Sequence, residues 1–446
     1  MEVAMGRTSI RVLMLPWLAH GHISPFLELG KKLADKNFHI YFCSTPVNLD
    51  SLKPKLSNSK YSNSIELVEL QLPSFPELPP HYHTTKGLPP HLTPILHKAS
   101  DMSGPNISNI TATLMPDLVI SDFHAIWMPD IASSLNIPAI AFIPCGASLI
   151  SCMYHYTSNA DGEFPFPEVV SNPMIKKKLE QIRERSGAAS TIVYEKSSNI
   201  MLINSFREIE EKYMDYLSVS MGLKILPVGL LVPDPIYEDD FEGLDIIKWL
   251  DNKEKSSTVF VSFGSEYYLS KQDMEELAHG LDLSEVNFIW VVRFPEGEKM
   301  KLDEALPQGF LERVKERGLV VENWAPQIKI LNHSSIGGFV SHCGWGSVTE
   351  SLKLGVPIIA MPMQIDQPLN AKIIESSGIG LEVERGTNGE KIERENVAKV
   401  IKKIVMEKIG EDIRRKAKEM TKTLKRRAEE DMDEVKKEIL KVCGIF

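Results

Sequence analysis

Residues 324–367 read WAPQIKILNHSSIGGFVSHCGWGSVTESLKLGVPIIAMPMQIDQ. Within this stretch, 338–341 (GFVS) has the length and apolarity of a buried strand, and 342–347 (HCGWGS) is a glycine-rich turn. Residues 347–354 then take helical spacing, and 357–361 return to a buried strand. A strand feeding a helix through such a turn is the unit of a doubly wound parallel sheet. Helix N-termini carry unpaired N–H groups and the positive end of the dipole, so a diphosphate fits there. His342, Ser347 and Ser265 can add donors. Trp324 offers a flat apolar face for a nucleobase, with the amide of Gln327 close by in the chain. Glu350 lies one turn into the helix, where a carboxylate accepts both hydroxyls of a ribose. Asp366 and Gln367 supply acceptor and donor groups for sugar hydroxyls. Each feature also has a plain alternative. A lone Trp is commonly core, and Ser347 with Glu350 matches a helix-capping box.

The same rhythm extends outward. Strand patterns at 258–263, 288–292 and 319–322 alternate with helical ones at 271–281 and 310–316. The first half repeats it, with strands at 9–17, 38–43, 65–70, 118–120 and 139–142 and helices at 26–35 and 126–135. Residues 19–25 (AHGHISP) read as a tight loop at the carboxyl end of the first strand, where such sheets bind ligands. Residues 73–93 are rich in Pro and His and read as a long surface loop, and 153–190 are also irregular. Around 227–242 the pattern breaks into Pro, Gly and acid, which marks a linker. The expectation is two Rossmann-like doubly wound α/β domains facing a cleft, at 1–230 and 246–425, with a linker at 231–245. A C-terminal helix at 426–446 completes the chain. From Ile413 to Ile439, apolar residues recur in steps of three and four.

Composition sets the outer limits. The chain has 446 residues, 43% of them hydrophobic and 25% charged, which excludes a disordered or collagenous chain. The formal charge of −10 gives no global attraction for nucleic acid or acidic membranes. Five cysteines without a C-x-x-C pair argue against a disulfide framework or a zinc site. The apolar run near the N-terminus is too short to span a bilayer and reads as a strand. A cytoplasmic location fits.

With Trp324-Ala-Pro-Gln327, His342-Cys-Gly-Trp345, Glu350, Gly355-Val-Pro357 and Asp366-Gln367 in place, the stretch resembles the signature box of plant UDP-sugar-dependent glycosyltransferases, which have the GT-B fold. Ser262-Phe-Gly-Ser265, the 116–120 segment and Gly21-His22 also fit, so the resemblance covers essentially the whole chain. It implies donor contacts at Ser265, Trp324, Ala325, Gln327, His342, Trp345, Gly346, Ser347, Glu350, Asp366 and Gln367. It also implies that the C-terminal helix packs back on the first domain.

Transfer of a sugar to a hydroxyl needs a base, for which histidine is suited. His20 and His22 both qualify by position. The family pattern, a Gly-His pair after the first strand, selects His22. Asp122, just past the 118–120 strand, resembles the family's aspartate partner, which would orient the imidazole. Asp117 and Asp130 are alternatives, one before the strand and one in the next helix. His20, His124 and Cys145 are placed in the acceptor pocket. No metal-ligand pattern is evident, so the leaving UDP is expected to be stabilised by helix dipole and side chains, with inversion at the anomeric carbon.

Two positions depart from the family pattern: Gly346 replaces the usual Asn, and Cys145 stands near a frequent Thr. In that family a Gln at the position of Gln367 goes with glucose donors, so the resemblance implies glucose. Residues 263–268, 278–280, 286–293, Gly346 and 361–363 are similar to the branch-forming members that extend an existing sugar on terpenoid, flavonoid or lignan glucosides. The implied reaction moves glucose from UDP-glucose to such a glycoside, with no cofactor, by a monomer. A bare aglycone or another UDP-sugar such as UDP-xylose is the alternative. A nicotinamide oxidoreductase is disfavoured because no full G-x-G-x-x-G follows the first strand. The presence of both His22 and Asp122 argues against a binding protein without catalysis.

Overall fold

The computed structural model describes residues 9–158, 163–170, 198–235, 243–265, 267–295, 301–364, 366–386 and 391–445. The chain divides into two compact units. The first comprises Met1–Phe164, Leu179–Leu231 and Arg426–Phe446, and the second Pro165–Lys178 and Val232–Lys425. Residues 236–242 of the 231–245 linker, and most of the irregular 153–190 region, lie outside the described residues.

The first unit holds a seven-stranded sheet in the order β3-β2-β1-β4-β5-β6-β7. The strands are β1 (Ile10–Leu15), β2 (Phe38–Ser44), β3 (Ile65–Glu69), β4 (Leu118–Asp122), β5 (Ala139–Ile143), β6 (Ile200–Ile203) and β7 (Lys224–Pro227). The second unit holds six in the order β10-β9-β8-β11-β12-β13. They are β8 (Thr258–Ser262), β9 (Asn287–Val292), β10 (Gly318–Glu322), β11 (Ile336–Ser341), β12 (Ile358–Ala360) and β13 (Gly380–Glu382). All pairings are parallel. Each sheet reverses its strand order once, between β1 and β4 and between β8 and β11, the Rossmann arrangement.

Central strands are apolar on both faces because helices cover both sides. Val12 and Met14 of β1 point into one core with Phe26, Leu29 and Leu33 of the helix His20–Asp35. Leu13 and Leu15 point into another. The last part of the helix Lys408–Val442 belongs to the first unit, where Met432, Val435 and Ile439 join the same core as Val12. Each such buried side chain is worth about 1.5–3 kcal/mol. Its earlier part belongs to the second unit, where Ile413 is core and the Thr421 hydroxyl donates to the Leu352 carbonyl at 2.6 Å.

Several element boundaries differ from the sequence reading. The segment read as a loop at 19–25 is mostly helix, which starts at His20 with Ala19 as N-cap. Pro25 suggested a break, but it falls six residues in, where its missing N–H forgoes only the bond to the Gly21 carbonyl. Residues 73–93 are not uniformly surface: Leu78, His83, Thr84 and Leu92 are buried. Strands β6 and β7, each four residues long, carried too little pattern to be read.

Candidate active site

The end of β1 and the end of β4 are neighbours at the reversal point of the first sheet. That adjacency explains why residues 100 positions apart meet. His22 occupies the first turn of its helix, and Asp122 is the last residue of β4. His22 Nδ1 lies 2.7 Å from Asp122 Oδ2. Asp122 is 1% exposed and His22 partly so. Burial alone would push the Asp122 carboxyl up, but His22 and His124 together hold it well below the usual carboxylate range. Asp122 is therefore an anion that orients an imidazole. Asp117 is at the opposite end of β4, where it accepts the backbone N–H of Arg11 at 2.8 Å.

A second imidazole shares the same carboxylate. His124 Nδ1 lies 2.9 Å from Asp122 Oδ1, and the His124 backbone N–H donates to that oxygen at 3.1 Å. The His124 ring stacks on Trp17 at 5.0 Å between centroids and meets His22 edge-on at 5.2 Å. His97 stacks on Trp17 too, at 4.3 Å. Phe123 tilts against His22 at 5.8 Å. Trp17, His97 and Phe123 were not legible as site residues. Trp17 looked like the apolar end of β1, and His97 comes after the Pro-rich segment with no spacing rule to tie it to β4. His20 is exposed at the first helical position. Cys145 lies two residues past β5, partly exposed.

The structure also groups three ligand-type atoms that the sequence did not suggest. His22, Asp122 and His124 offer such atoms within 4.8 Å of one another. Two of the three groups are imidazoles already engaged through Nδ1 with the carboxylate.

The reversal point of the second sheet brings the turn after β8 against the turn after β11. The His342 ring wedges between Gly264 and Gly344: a Cβ on either would come within 2.7 Å of it. Gly264 also has φ +75°, so glycine is required there twice over. Burial pulls the His342 imidazole down to about 4, which keeps it neutral near pH 7. Its Nδ1 is buried with no hydrogen-bond partner among the described residues. An orphaned ring nitrogen of this kind fits an oxygen-rich ligand. Ser265 is exposed in the turn after β8.

The helix after β11 runs Trp345–Leu354 with Gly344 as N-cap, not Ser347. Its ladder starts with Val348 N–H to the Gly344 carbonyl at 3.1 Å. The N–H groups of Gly346 and Ser347 thus precede the ladder, where an anion is favoured. The capping-box alternative is removed, since Ser347 is the third helical residue and its hydroxyl lies 3.4 Å from Gln327 Nε2. Gly346 is exposed, and a Cβ there would meet open space. Trp345 is buried.

Gln327 Nε2 donates to Glu350 Oε2 at 2.6 Å. The amide read as reaching a base or ribose is therefore first a brace for the carboxylate. Burial pushes Glu350 up to about 7, against the lowering effect of that hydrogen bond. Trp324 is 54% exposed, an unusual state for an indole unless a ligand covers it. Ala325 beside it is buried. Gln367 is buried, and its Oε1 accepts the N–H groups of Met363 and Gln364 at 2.9 and 2.8 Å. The acceptor half of this amide holds a turn, leaving the donor half for a ligand. Asp366 Oδ2 accepts from Asn370 Nδ2 at 2.8 Å.

Comparison with known proteins places these features. Residues 242–418 match the family model described as UDP-glucoronosyl and UDP-glucosyl transferase, and residues 8–233 match a glycosyltransferase N-terminal domain. The chain is 54% identical to mogroside IIIx synthase of Siraitia grosvenorii over 445 residues, covering 98% of each chain. It is 48% identical to beta-D-glucosyl crocetin beta-1,6-glucosyltransferase of Gardenia jasminoides, covering 95% of this chain and 96% of that one. Among solved structures it is similar in fold to UGT73P12 of Glycyrrhiza uralensis, complexed with glycyrrhetinic acid 3-O-monoglucuronide. That match has a TM-score of 0.83 and 23% identity, covering 98% of this chain and 96% of that one. Among the described residues no helix is long and apolar enough to cross a membrane.

Proposed function

The chain belongs to the UDP-glycosyltransferase family and has its GT-B fold, and from that premise we propose that it transfers glucose from UDP-glucose to a hydroxyl of a small-molecule glycoside. The product is a β-linked sugar–sugar bond, formed with inversion. The observation that carries the reading is the His22–Asp122 contact at 2.7 Å. A carboxylate only accepts, so His22 donates Nδ1–H to it, and the opposite ring nitrogen, Nε2, is left as the base.

In this reading, Nε2 of His22 takes the proton of the acceptor hydroxyl as its oxygen attacks C1 of the donor sugar. The C1–O bond to the diphosphate breaks, and its electron pair leaves with UDP. Asp122 balances the imidazolium. The second unit holds the donor. Uracil covers Trp324, with Ala325 beside it, and the ribose hydroxyls donate to Glu350 braced by Gln327. The diphosphate takes the N–H groups of Gly346 and Ser347, the hydroxyls of Ser265 and Ser347, and the His342 ring. Trp345, buried, begins the helix that presents these groups. Asp366 and the amide N–H groups of Gln367 read the sugar hydroxyls. Charge on the leaving group is met by these dipoles, so no metal or cofactor takes part.

The glycoside acceptor rests on the names of the relatives, which include an enzyme that extends a glucosyl crocetin. His20, His124 and Cys145 line the acceptor side. We place the enzyme in the cytoplasm as a monomer. A donor-by-acceptor screen tests the reading, with mass and NMR assignment of the product linkage. It stands if UDP-glucose and a glucoside give a β-linked diglycoside. Turnover only on the bare aglycone, or only with UDP-xylose or another UDP-sugar, would replace it.

A further inference from the structure

Asp122 carries one imidazole on each oxygen: His22 on Oδ2 at 2.7 Å and His124 on Oδ1 at 2.9 Å. An ionised carboxylate has no proton to give, so both rings must donate through Nδ1–H. Each neutral ring therefore has its Nε2 as an acceptor. The His124 ring cannot easily turn, because it lies on Trp17 with an interplanar angle of 17° and its own backbone N–H is tied to Oδ1. The two rings meet edge-on, at 73°, and their side chains are 21% and 28% exposed. One carboxylate thus holds two imidazole acceptors side by side.

The chemistry of transfer uses one of them, since a single attacking hydroxyl gives up a single proton. A second imidazole, its ring centroid 5.2 Å from the first, fits a second hydroxyl. Sugar rings carry neighbouring hydroxyls within hydrogen-bond reach of each other, whereas a lone phenol or carboxyl group does not offer that pair. Resting on the glycoside reading, we propose that Nε2 of His124 accepts a hydrogen bond from a second hydroxyl of the acceptor sugar, near the one that attacks. His124 takes no proton; it sets the register in which the sugar meets His22, and it favours a glycoside over a bare aglycone.

The test is a cycle of enzyme and acceptor changes. Wild type and His124→Phe, which keeps an aromatic ring against Trp17 but has no ring nitrogen, are assayed on the best glucoside from the screen. Both are then assayed on its monodeoxy analogues, each lacking one of the acceptor sugar's hydroxyls other than the attacking one. One analogue is expected to lose about tenfold in kcat/KM with wild type, the worth of one hydrogen bond. His124→Phe should lose about as much on the full glucoside and nothing further on that analogue. An equal deoxy penalty in both enzymes, or no penalty in wild type, overturns the assignment while glycoside transfer stands. Absence of transfer to any glycoside would sink both it and the reading beneath it. Melting temperature and UDP affinity check folding. If His124→Phe folds poorly, His124→Gln, which offers a donor to Asp122 and an acceptor carbonyl, should retain part of the penalty; complete loss of it in a folded Gln variant counts against the proposal.

Discussion

Nδ1 of His22 and Oδ2 of Asp122 stand 2.7 Å apart at the point where the first sheet reverses its strand order. The pairing is made by topology, since β1 and β4 are adjacent although a hundred residues separate the two side chains. If His22 is the base, His22→Ala should lower kcat by about 10²–10⁴-fold. UDP affinity should be unchanged if, as proposed, the donor is held by the second unit. Calorimetry with UDP beside a product assay reads both, and a variant that still turns over near the wild-type rate would remove His22 from the mechanism.

Asp122→Asn separates charge from shape. Asn keeps the volume but places an amide N–H₂ opposite one of two imidazole N–H groups, so one ring must flip its tautomer or lose its bond. The loss in kcat should again be about 10²–10⁴-fold, since the imidazolium is no longer balanced. The folded state should survive by circular dichroism. Near-normal turnover in a folded Asn variant would assign Asp122 a purely structural role.

Legibility in the sequence depended on how each feature is encoded. The strand-turn-helix around His342 is local and rich in glycine and apolar runs, so its architecture was legible. The His22–Asp122 dyad was selected by resemblance; position along the chain left His20, Asp117 and Asp130 as rivals. Long-range contacts with no local pattern were lost: the stack of His97 and His124 on Trp17, and the second imidazole on Asp122. Helix starts were misplaced where capping is done by Ala19 and Gly344, neither with a side-chain bond to mark it. Ser347 offered a louder capping signal than the true cap, and Pro25 a louder break than exists.

If Glu350 faces the ribose, donor binding should depend on pH. Its carboxyl is raised from 4.5 to about 7 by burial, so its favourable contribution to the free protein is present below about 4.5 and fades as pH rises through about 7. Ribose hydroxyls would hydrogen-bond the ionised form and draw it back down. Binding of uridine, which brings no titrating phosphate, should therefore release protons near pH 6–7. Glu350→Gln should bind more weakly and release none. Calorimetry in buffers of different ionisation heat measures this, and identical proton release by the two proteins would show that Glu350 does not face the ribose.

Chelation tests how the leaving group is stabilised. His22, Asp122 and His124 bring ligand-type atoms together, but the two imidazole Nδ1 atoms already bond to the carboxylate. EDTA should leave the initial rate within about twofold of the untreated enzyme, with charge on UDP met by helix dipole and donors. A strong loss that Mn²⁺ restores would require a metal in the mechanism.

Glu210 carries the last prediction, on the scaffold. It is fully buried, and its two carboxylate oxygens accept the N–H groups of Ala147 and Ser148 at 2.8 and 2.9 Å, at the start of the helix Ala147–Thr157. The Ser205 hydroxyl donates to it at 2.5 Å. A negative group at a helix N-terminus is favoured, and three donors lower its carboxyl, although burial outweighs them and raises it overall. Glu210→Ala would strand those donors without water, so unfolding of the first unit should become easier by roughly 2–4 kcal/mol. The helix it holds begins just past Cys145, so the acceptor KM should rise more than the affinity for UDP falls. Urea unfolding followed by Trp fluorescence reads the stability, and a midpoint unchanged from wild type would mean that the helix start is held by other means.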